Sequence, residues 1–284
     1  MRVALTGAHG FTGRFVSAAL EQAGSTPVAL QVDLRDEAAV DAAVGATAFD
    51  RLIHLAGHAF VGATDWRAFY AVNQLGTLSL LDAVARHRPD ARCVLASSAQ
   101  VYGQGAEGLI REDAPTRPAN HYAVSKRAME LGAELWRQRL ELVVTRPFNY
   151  TGVGQPDQYL IPKIVAHYRR AAGTIELGNT WVRRDFGDVR SVAEAYAGLA
   201  LAATVPPVVN IATGTVSSID DILAELGAIS GHRLDVTVNQ DFVRADDVAV
   251  LGGDATLLRA TLPSWRPRAL ADTLRWMYGA DETT

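Results

Sequence analysis

The sequence predicts an α/β fold: a doubly wound parallel sheet with a smaller C-terminal part laid over the strand ends. Short β-branched runs alternate with longer helical patterns through the first two thirds of the chain, as βαβ units require. Gly7, Gly10 and Gly13 fall directly after the first such run and into the start of the first helical pattern. Apolar residues make up 49% of the 284 positions, enough to cover both faces of a sheet.

The elements follow in order. VALT at 3–6 reads as the first strand and FTGRFVSAALEQA at 11–23 as the helix that leaves it. PVALQV at 27–32 is the second strand. The acidic VDLRDEAAV follows it with little room for a further helix and strand, so this side of the sheet is expected to be abbreviated. RLIHLAG at 51–57 leads into one helical pattern over 65–87, and RCVLASS at 92–98 and ELVVTRP at 141–147 read as strands. After Arg146 the segment FNYTGVGQPDQYLIPK breaks periodicity with Gly and Pro, an excursion from the sheet. Helices are expected at 191–204, 217–230 and 268–278. The expected division is a nucleotide-binding core over 1–150 plus about 185–215, and a second part over 151–184 and 216–284.

Composition narrows the function. The net charge is −4, with 27 basic and 31 acidic residues interspersed. Without a basic run to track a phosphate backbone, nucleic acid is not an expected partner. No 18-residue uncharged apolar run indicates a membrane span, and MRVALTG lacks the form of an export signal. A cytoplasmic location and no membrane partner are the expectation. The single cysteine, Cys93, lies in an apolar run and reads as a small buried hydrophobe; no His/Cys cluster has metal-ligand spacing.

TGAHGFTG carries the first chemical signal. Glycine after a strand lets the backbone turn tightly and approach a pyrophosphate, whose charge rests on the free N–H groups of the helix N-terminus. Such a triplet alone is weak evidence, and its place between strand and helix is what makes it a dinucleotide site. Asp33 is expected near the adenine, and Arg14 and Arg35 near a 2′-phosphate, which favours NADPH slightly over NADH.

The second signal is HYAVSKRAME at 121–130. Residues four apart share a helix face, so Tyr122 and Lys126 project together. A neighbouring ammonium is expected to lower the phenol pKa and make it a usable acid or base. Twenty-four residues before Tyr122, RCVLASS ends in Ser97 and Ser98, at a strand carboxyl end where such sheets bind ligands. A hydroxyl there can hydrogen-bond a substrate carbonyl oxygen beside the phenol.

With these motifs the chain resembles the extended short-chain dehydrogenase/reductases, of the Rossmann type, in the branch that works on nucleotide-activated sugars. TGAHGFTG resembles the family's TGxxGxxG, SSAQVYG its SSxxVYG and YAVSK its YxxxK. RPFNYTG at 146–152, RRDFGDV at 183–189 and NIATG at 210–214 resemble later blocks. The resemblance implies Ser98, Tyr122 and Lys126 as catalytic residues. It implies cofactor contacts from Gly7, Gly10, Phe11, Gly13, Asp33, Leu34, Leu55, Ala56, Gly57, Asn73, Tyr122 and Lys126. For substrate it implies Ser98, Asn149, Lys163, Arg184, Arg244 and Asp247, with the two arginines as diphosphate clamps. Asp185 and Asp188 are expected to tie the RDF turn, and the five tryptophans to serve packing. A homodimer through the helices that include 65–87 and 119–139 is also implied.

Dehydratases of this branch carry acidic residues between the catalytic hydroxyl and the VYG tyrosine. Ala99 and Gln100 stand there and cannot shuttle a proton. The segments RPFNYTGVGQ and VRADDVAVLGGDATLLRA are most similar to GDP-4-keto-6-deoxy-mannose reductases. The resemblance therefore implies NADPH- or NADH-dependent reduction of a C4 ketone on a nucleotide-diphosphate sugar, GDP-linked in preference to UDP- or dTDP-linked. Reduction of a UDP-linked 4-keto-6-deoxy-N-acetylhexosamine, 4-epimerisation with tightly held NAD, and a non-catalytic dinucleotide sensor stay open as alternatives.

Overall fold

A computed structural model describes residues 1–59, 65–103, 105–242 and 248–280. Its centre is a parallel sheet of six strands: β1 (Arg2–Thr6), β2 (Thr26–Ala29), β3 (Arg51–His54), β4 (Arg92–Ala96), β5 (Leu142–Pro147) and β6 (Val208–Ile211). Their order is β6-β5-β4-β3-β1-β2. The order reverses between β1 and β3, and β2 is the edge, so the expected abbreviation is real.

Period-2 alternation with both faces covered explains why the inner strands are mostly apolar. The cross-strand row Leu5, Ile53, Val94 and Val143 faces one layer. The next row, Ala4, Leu52, Cys93 and Leu142, faces the other. Helices α1 (Phe11–Gln22) and α6 (Val189–Leu201) cover the first face. Helices α2 (Glu37–Ala46), α3 (Thr77–His87) and α4 (His121–Ala133) cover the second. Asp36 caps α2 and Asn120 caps α4, each accepting a bond from a backbone N–H of the first turn. Cys93 is fully buried in the second layer, which pushes its thiol up to about 12.

The smaller part packs α5 (Leu160–Arg169), α7 (Ile219–Ser230) and α8 (Leu270–Gly279) around Ile164, Tyr168, Leu226 and Met277. A capping box between Ser218 and Asp221 starts α7, and Gly231 in the left-handed region ends it. Asp185 is fully buried and accepts from Thr213 and Gly214, while Asp188 caps α6 and pairs with Arg190. Both are structural, as expected.

Two expectations change here. The single helix expected over 65–87 is broken: Phe69–Gly76 is π-helical, with α3 beginning only at Thr77. Of the tryptophans, Trp265 is buried, and Trp136 and Trp276 pack against the cores. Trp66 and Trp181 are exposed and pack into neither core. An indole exposes enough polar edge to be stable at a surface, so residue type alone overstated burial.

Candidate active site

Strand register gathers the motifs. Thr6 lies opposite His54 and His54 opposite Leu95, so β1, β3 and β4 end side by side. The three turns that leave them carry Gly7 to Gly13, Leu55 to Gly57, and Ser97 with Ser98. Gly7 adopts φ +70, and a Cβ there would come within 2.9 Å of the Ala56 nitrogen. A Cβ on Gly13 would overlap the carbonyl oxygens of Gly7 and Ala8. Both positions need glycine: the turn after β1 lies directly against the turn after β3, and α1 begins close against the turn after β1. No side chain caps α1, whose Ncap is Gly10. These features fit a dinucleotide pyrophosphate at that terminus.

Behind the turns runs a buried hydrogen-bond chain. The His54 ring bonds Thr6 Oγ1 at 2.7 Å and Thr77 Oγ1 at 2.9 Å, and Thr77 donates to the Asn73 carbonyl at 2.8 Å. Burial, aided by the charge of Lys126, pushes His54 down to about 3, so the ring is neutral. Asn73, fully buried on the π-helical turn, accepts from the His58 N–H at 2.8 Å and donates to Ser125 Oγ at 3.1 Å. It thereby fixes the backbone just beyond Gly57 and the face of α4.

Tyr122 and Lys126 occupy that face, both under a tenth exposed. Tyr122 faces the Ser98 hydroxyl, which favours the ionised phenol, and its ring meets Phe69 edge-on at 5.9 Å. Ser98 Oγ also accepts from the Gln100 N–H at 3.2 Å, and the Gln100 side chain accepts from Asn120 at 3.0 Å, joining this turn to the cap of α4. Lys126 Nζ donates to the Ala96 carbonyl at 2.7 Å.

The electrostatics reverse one expectation. Burial pushes the Tyr122 phenol up to about 12 and outweighs the opposing influence of the Ser98 hydroxyl. The expected lowering is therefore not a property of the protein alone. Burial pushes Lys126 the other way, down to about 8, although Glu130 opposes it. A neutral, protonated phenol beside a charge-ready amine is suited to giving a proton.

The other expected residues divide. Phe11 stacks with Tyr150 at 6.2 Å, and the Tyr150 hydroxyl bonds Thr12 Oγ1 at 2.8 Å. That contact brings the strand Asn149–Thr151, and Asn149 with it, to the start of α1. Sequence reasoning missed Thr12 and Tyr150, both of which stand inside quoted motifs. Asp33 is exposed and grips Arg35 in a bidentate pair, Nη2 to Oδ2 at 2.6 Å, which holds its carboxyl down at about 2. Leu34 packs beneath Gly76, where a Cβ would come within 2.6 Å. Arg14, expected near the same ribose as Arg35, instead lies against Gly154 in the smaller part.

Lys163 donates to the Glu176 carbonyl at 2.9 Å and sits over the Phe242 ring at 4.9 Å. Arg184 donates to the carbonyls of Arg183 and Val248, both at 2.9 Å. Arg244 and Asp247 lie outside the described residues. Among the described residues no group of three or more His, Cys, Asp or Glu could hold a metal ion, and no helix is long and apolar enough to cross a membrane.

Known proteins match this arrangement along nearly the whole chain. The family model described as GDP-mannose 4,6 dehydratase matches residues 6–277. A GDP-6-deoxy-D-talose 4-dehydrogenase from Aggregatibacter actinomycetemcomitans is 33% identical over 286 residues, 98% of this chain and 97% of that protein. A GDP-6-deoxy-D-mannose reductase from Pseudomonas aeruginosa is 32% identical over 281 residues, 94% and 92% of the two chains. The structure of RMD from Pseudomonas aeruginosa complexed with NADPH superposes with a TM-score of 0.89 at 28% identity, covering 98% and 97%. A model match that begins at the end of β1 and ends in the last helix leaves little of the chain outside it: this protein belongs to the GDP-mannose 4,6 dehydratase family, within the extended short-chain dehydrogenase/reductases.

Proposed function

We propose that the protein reduces the C4 ketone of a nucleotide-linked 4-keto-6-deoxyhexose with NADPH or NADH. The favoured substrate is GDP-4-keto-6-deoxy-D-mannose, giving GDP-D-rhamnose or its C4 epimer. The observation that carries the reading is the buried, protonated Tyr122 phenol facing the buried Ser98 hydroxyl beside the glycine turn. The names of the two relatives, a GDP-6-deoxytalose 4-dehydrogenase and a GDP-6-deoxymannose reductase, support both the guanosine diphosphate and the 6-deoxyhexose. The family's dehydratase name does not carry over, because Ala99 and Gln100 supply no carboxyl beside Ser98 and the Gln100 amide oxygen is engaged by Asn120.

When bound, the nicotinamide supplies the hydride that reaches C4. The chain supplies the rest. Tyr122 gives its proton to O4 as the carbonyl becomes an alkoxide, and Ser98 hydrogen-bonds that oxygen and fixes the angle of approach. The Lys126 ammonium stabilises the phenolate left behind. Gly7, Gly10, Phe11 and Gly13 would hold the pyrophosphate on the α1 terminus, with Leu55, Ala56 and Gly57 beside it, and Asn149 would contact the sugar. We assign residues 151–184 and 216–284 to nucleotide-sugar binding. A panel of GDP-, UDP- and dTDP-linked 4-keto-6-deoxy sugars, followed by loss of reduced-cofactor absorbance, tests the proposal: turnover of a GDP-linked ketone supports it, and turnover of no keto sugar defeats it.

Cofactor preference turns on the Asp33–Arg35 pair. A 2′-phosphate can take Arg35 in a bidentate bond, whereas a ribose 2′-hydroxyl would take Asp33. Arg35→Ala is expected to shift the ratio of kcat/KM for NADPH over NADH toward NADH by roughly tenfold, the value of one charge-assisted hydrogen bond. Equal ratios in variant and parent would remove Arg35 from cofactor choice.

A homodimer is proposed from Leu75, Leu131 and Leu135, exposed on or just beyond the packed segments Phe69–Gly76 and α4. Sedimentation should give a dimer for the parent and a monomer for Leu131→Glu combined with Leu135→Glu; a monomeric parent rejects it.

A further inference from the structure

The end of β4 and one face of α4 meet in a three-point register. The Ala96 carbonyl accepts from Lys126 at 2.7 Å. The Ser97 hydroxyl donates to Glu130 Oε1 at 2.6 Å. The Ser98 hydroxyl faces the Tyr122 phenol. Three consecutive residues at the end of β4 and just beyond it thus meet helix positions 126, 130 and 122, which lie four apart on one stripe. Two of these positions belong to the proposed chemistry, and the third does not.

Glu130 is only 3% exposed, and its carboxylate is fully engaged. Arg146 donates from Nε at 3.0 Å to Oε1 and from Nη2 at 2.8 Å to Oε2, and the partly exposed Arg127 donates at 2.8 Å to Oε2. Arg146 in turn donates to the Tyr102 hydroxyl at 3.1 Å and lies over that ring at 4.9 Å, and Tyr102 donates to Asn210 at 2.7 Å. A buried ion pair of this kind adds little stability over a packed apolar pair, so stability alone does not explain a carboxylate here. What it does place is a fixed negative charge one helical turn beyond the Lys126 ammonium.

We infer that Glu130 is a positioning residue for the reaction: its carboxylate keeps the Lys126 side chain charged and locks the strand end carrying Ser98 to the helix carrying Tyr122. The inference rests on the proposed reduction. The groups facing Lys126 leave Glu130 as its only close anion among the described residues. His54 on β3 is neutral, Tyr122 is protonated, and Asn73, Ser125 and the Ala96 carbonyl carry no charge. Arg127 and Arg146 are cations grouped around Glu130 itself, with the backbone carbonyl of Glu112 on the far side of Arg146. Burial lowers Lys126 and Glu130 raises it. Neutralising Glu130 would leave two cations and a desolvated amine together, and the amine would lose its proton earlier.

The test is the pH profile of kcat/KM for the reduction, with the Kd of NADPH by fluorescence at the same pH values as a second readout. In the parent both weaken as pH rises through the Lys126 value of about 8. In Glu130→Gln the basic limb of both is expected to move to lower pH by roughly one unit, as the loss of one charge about a helical turn away predicts. Ser97→Ala, which removes a hydroxyl and no charge, should lower kcat and leave the limb in place. A folded Glu130→Gln whose limb matches the parent's overturns the inference and shows a purely structural carboxylate. Should Glu130→Gln fail to fold, Arg127→Ala carries the test. It removes a cation at a partly exposed position, so the limb should move up, and an unmoved limb overturns the inference. Absence of turnover in the parent at every pH would instead defeat the proposed reduction itself.

Discussion

Tyr122→Phe is expected to lower kcat for keto-sugar reduction by about 10² to 10⁴, the range for loss of a general acid, or about 3 to 5 kcal/mol of barrier. The substitution removes one oxygen and leaves the ring against Phe69, so the Kd of NADPH should stay within about threefold and the melting temperature should hardly change. The size of the effect follows from burial. A phenol held near 12 is fully protonated at any working pH, so a donor is always present in the parent and never in the variant. Single-turnover measurements separate this loss from slow release. A variant that retains parental kcat would mean that the proton comes from elsewhere, and the reading of the site would fall.

Gly13→Val is expected to weaken cofactor binding by on the order of 10² or more, equivalent to losing two backbone hydrogen bonds to a charged pyrophosphate. The cause is steric. A Cβ at 13 meets the carbonyl oxygens of Gly7 and Ala8, so α1 must withdraw from the turn and carry its N–H groups away from the anion. Overpacking of this kind costs about 1 to 3 kcal/mol of stability, so the variant should remain folded. Calorimetric titration with NADPH and circular dichroism check both halves. A folded Gly13→Val that binds NADPH as the parent does would place the pyrophosphate elsewhere.

Much of this architecture is legible in the sequence. Strands buried on both faces are apolar throughout, which made VALT, RLIHL and RCVLA readable, and parallel register then brings their exits together. Helical periodicity puts Tyr122 and Lys126 on one face, and the apolar run RCVLA puts Ser97 and Ser98 at a strand end. The direction of the phenol's shift was not legible, because it depends on how much water Phe69 and the neighbouring layers exclude. Glu130 escaped notice although it stands four residues after Lys126. Its meaning comes from Ser97, 33 residues upstream, and Arg146, 16 downstream, and local spacing carries no information on such contacts. The break at Phe69–Gly76 and the turning of Arg14 toward Gly154 are tertiary choices of the same sort.

The most direct measurement is the fate of a deuterium carried on the nicotinamide C4 of NADPH during turnover of GDP-4-keto-6-deoxymannose. One deuterium on sugar C4, with one equivalent of oxidised cofactor released per alcohol formed, is the predicted result. Formation of the alcohol without deuterium at that carbon, or interconversion of the C4 epimers with the cofactor retained, would contradict net reduction at this site.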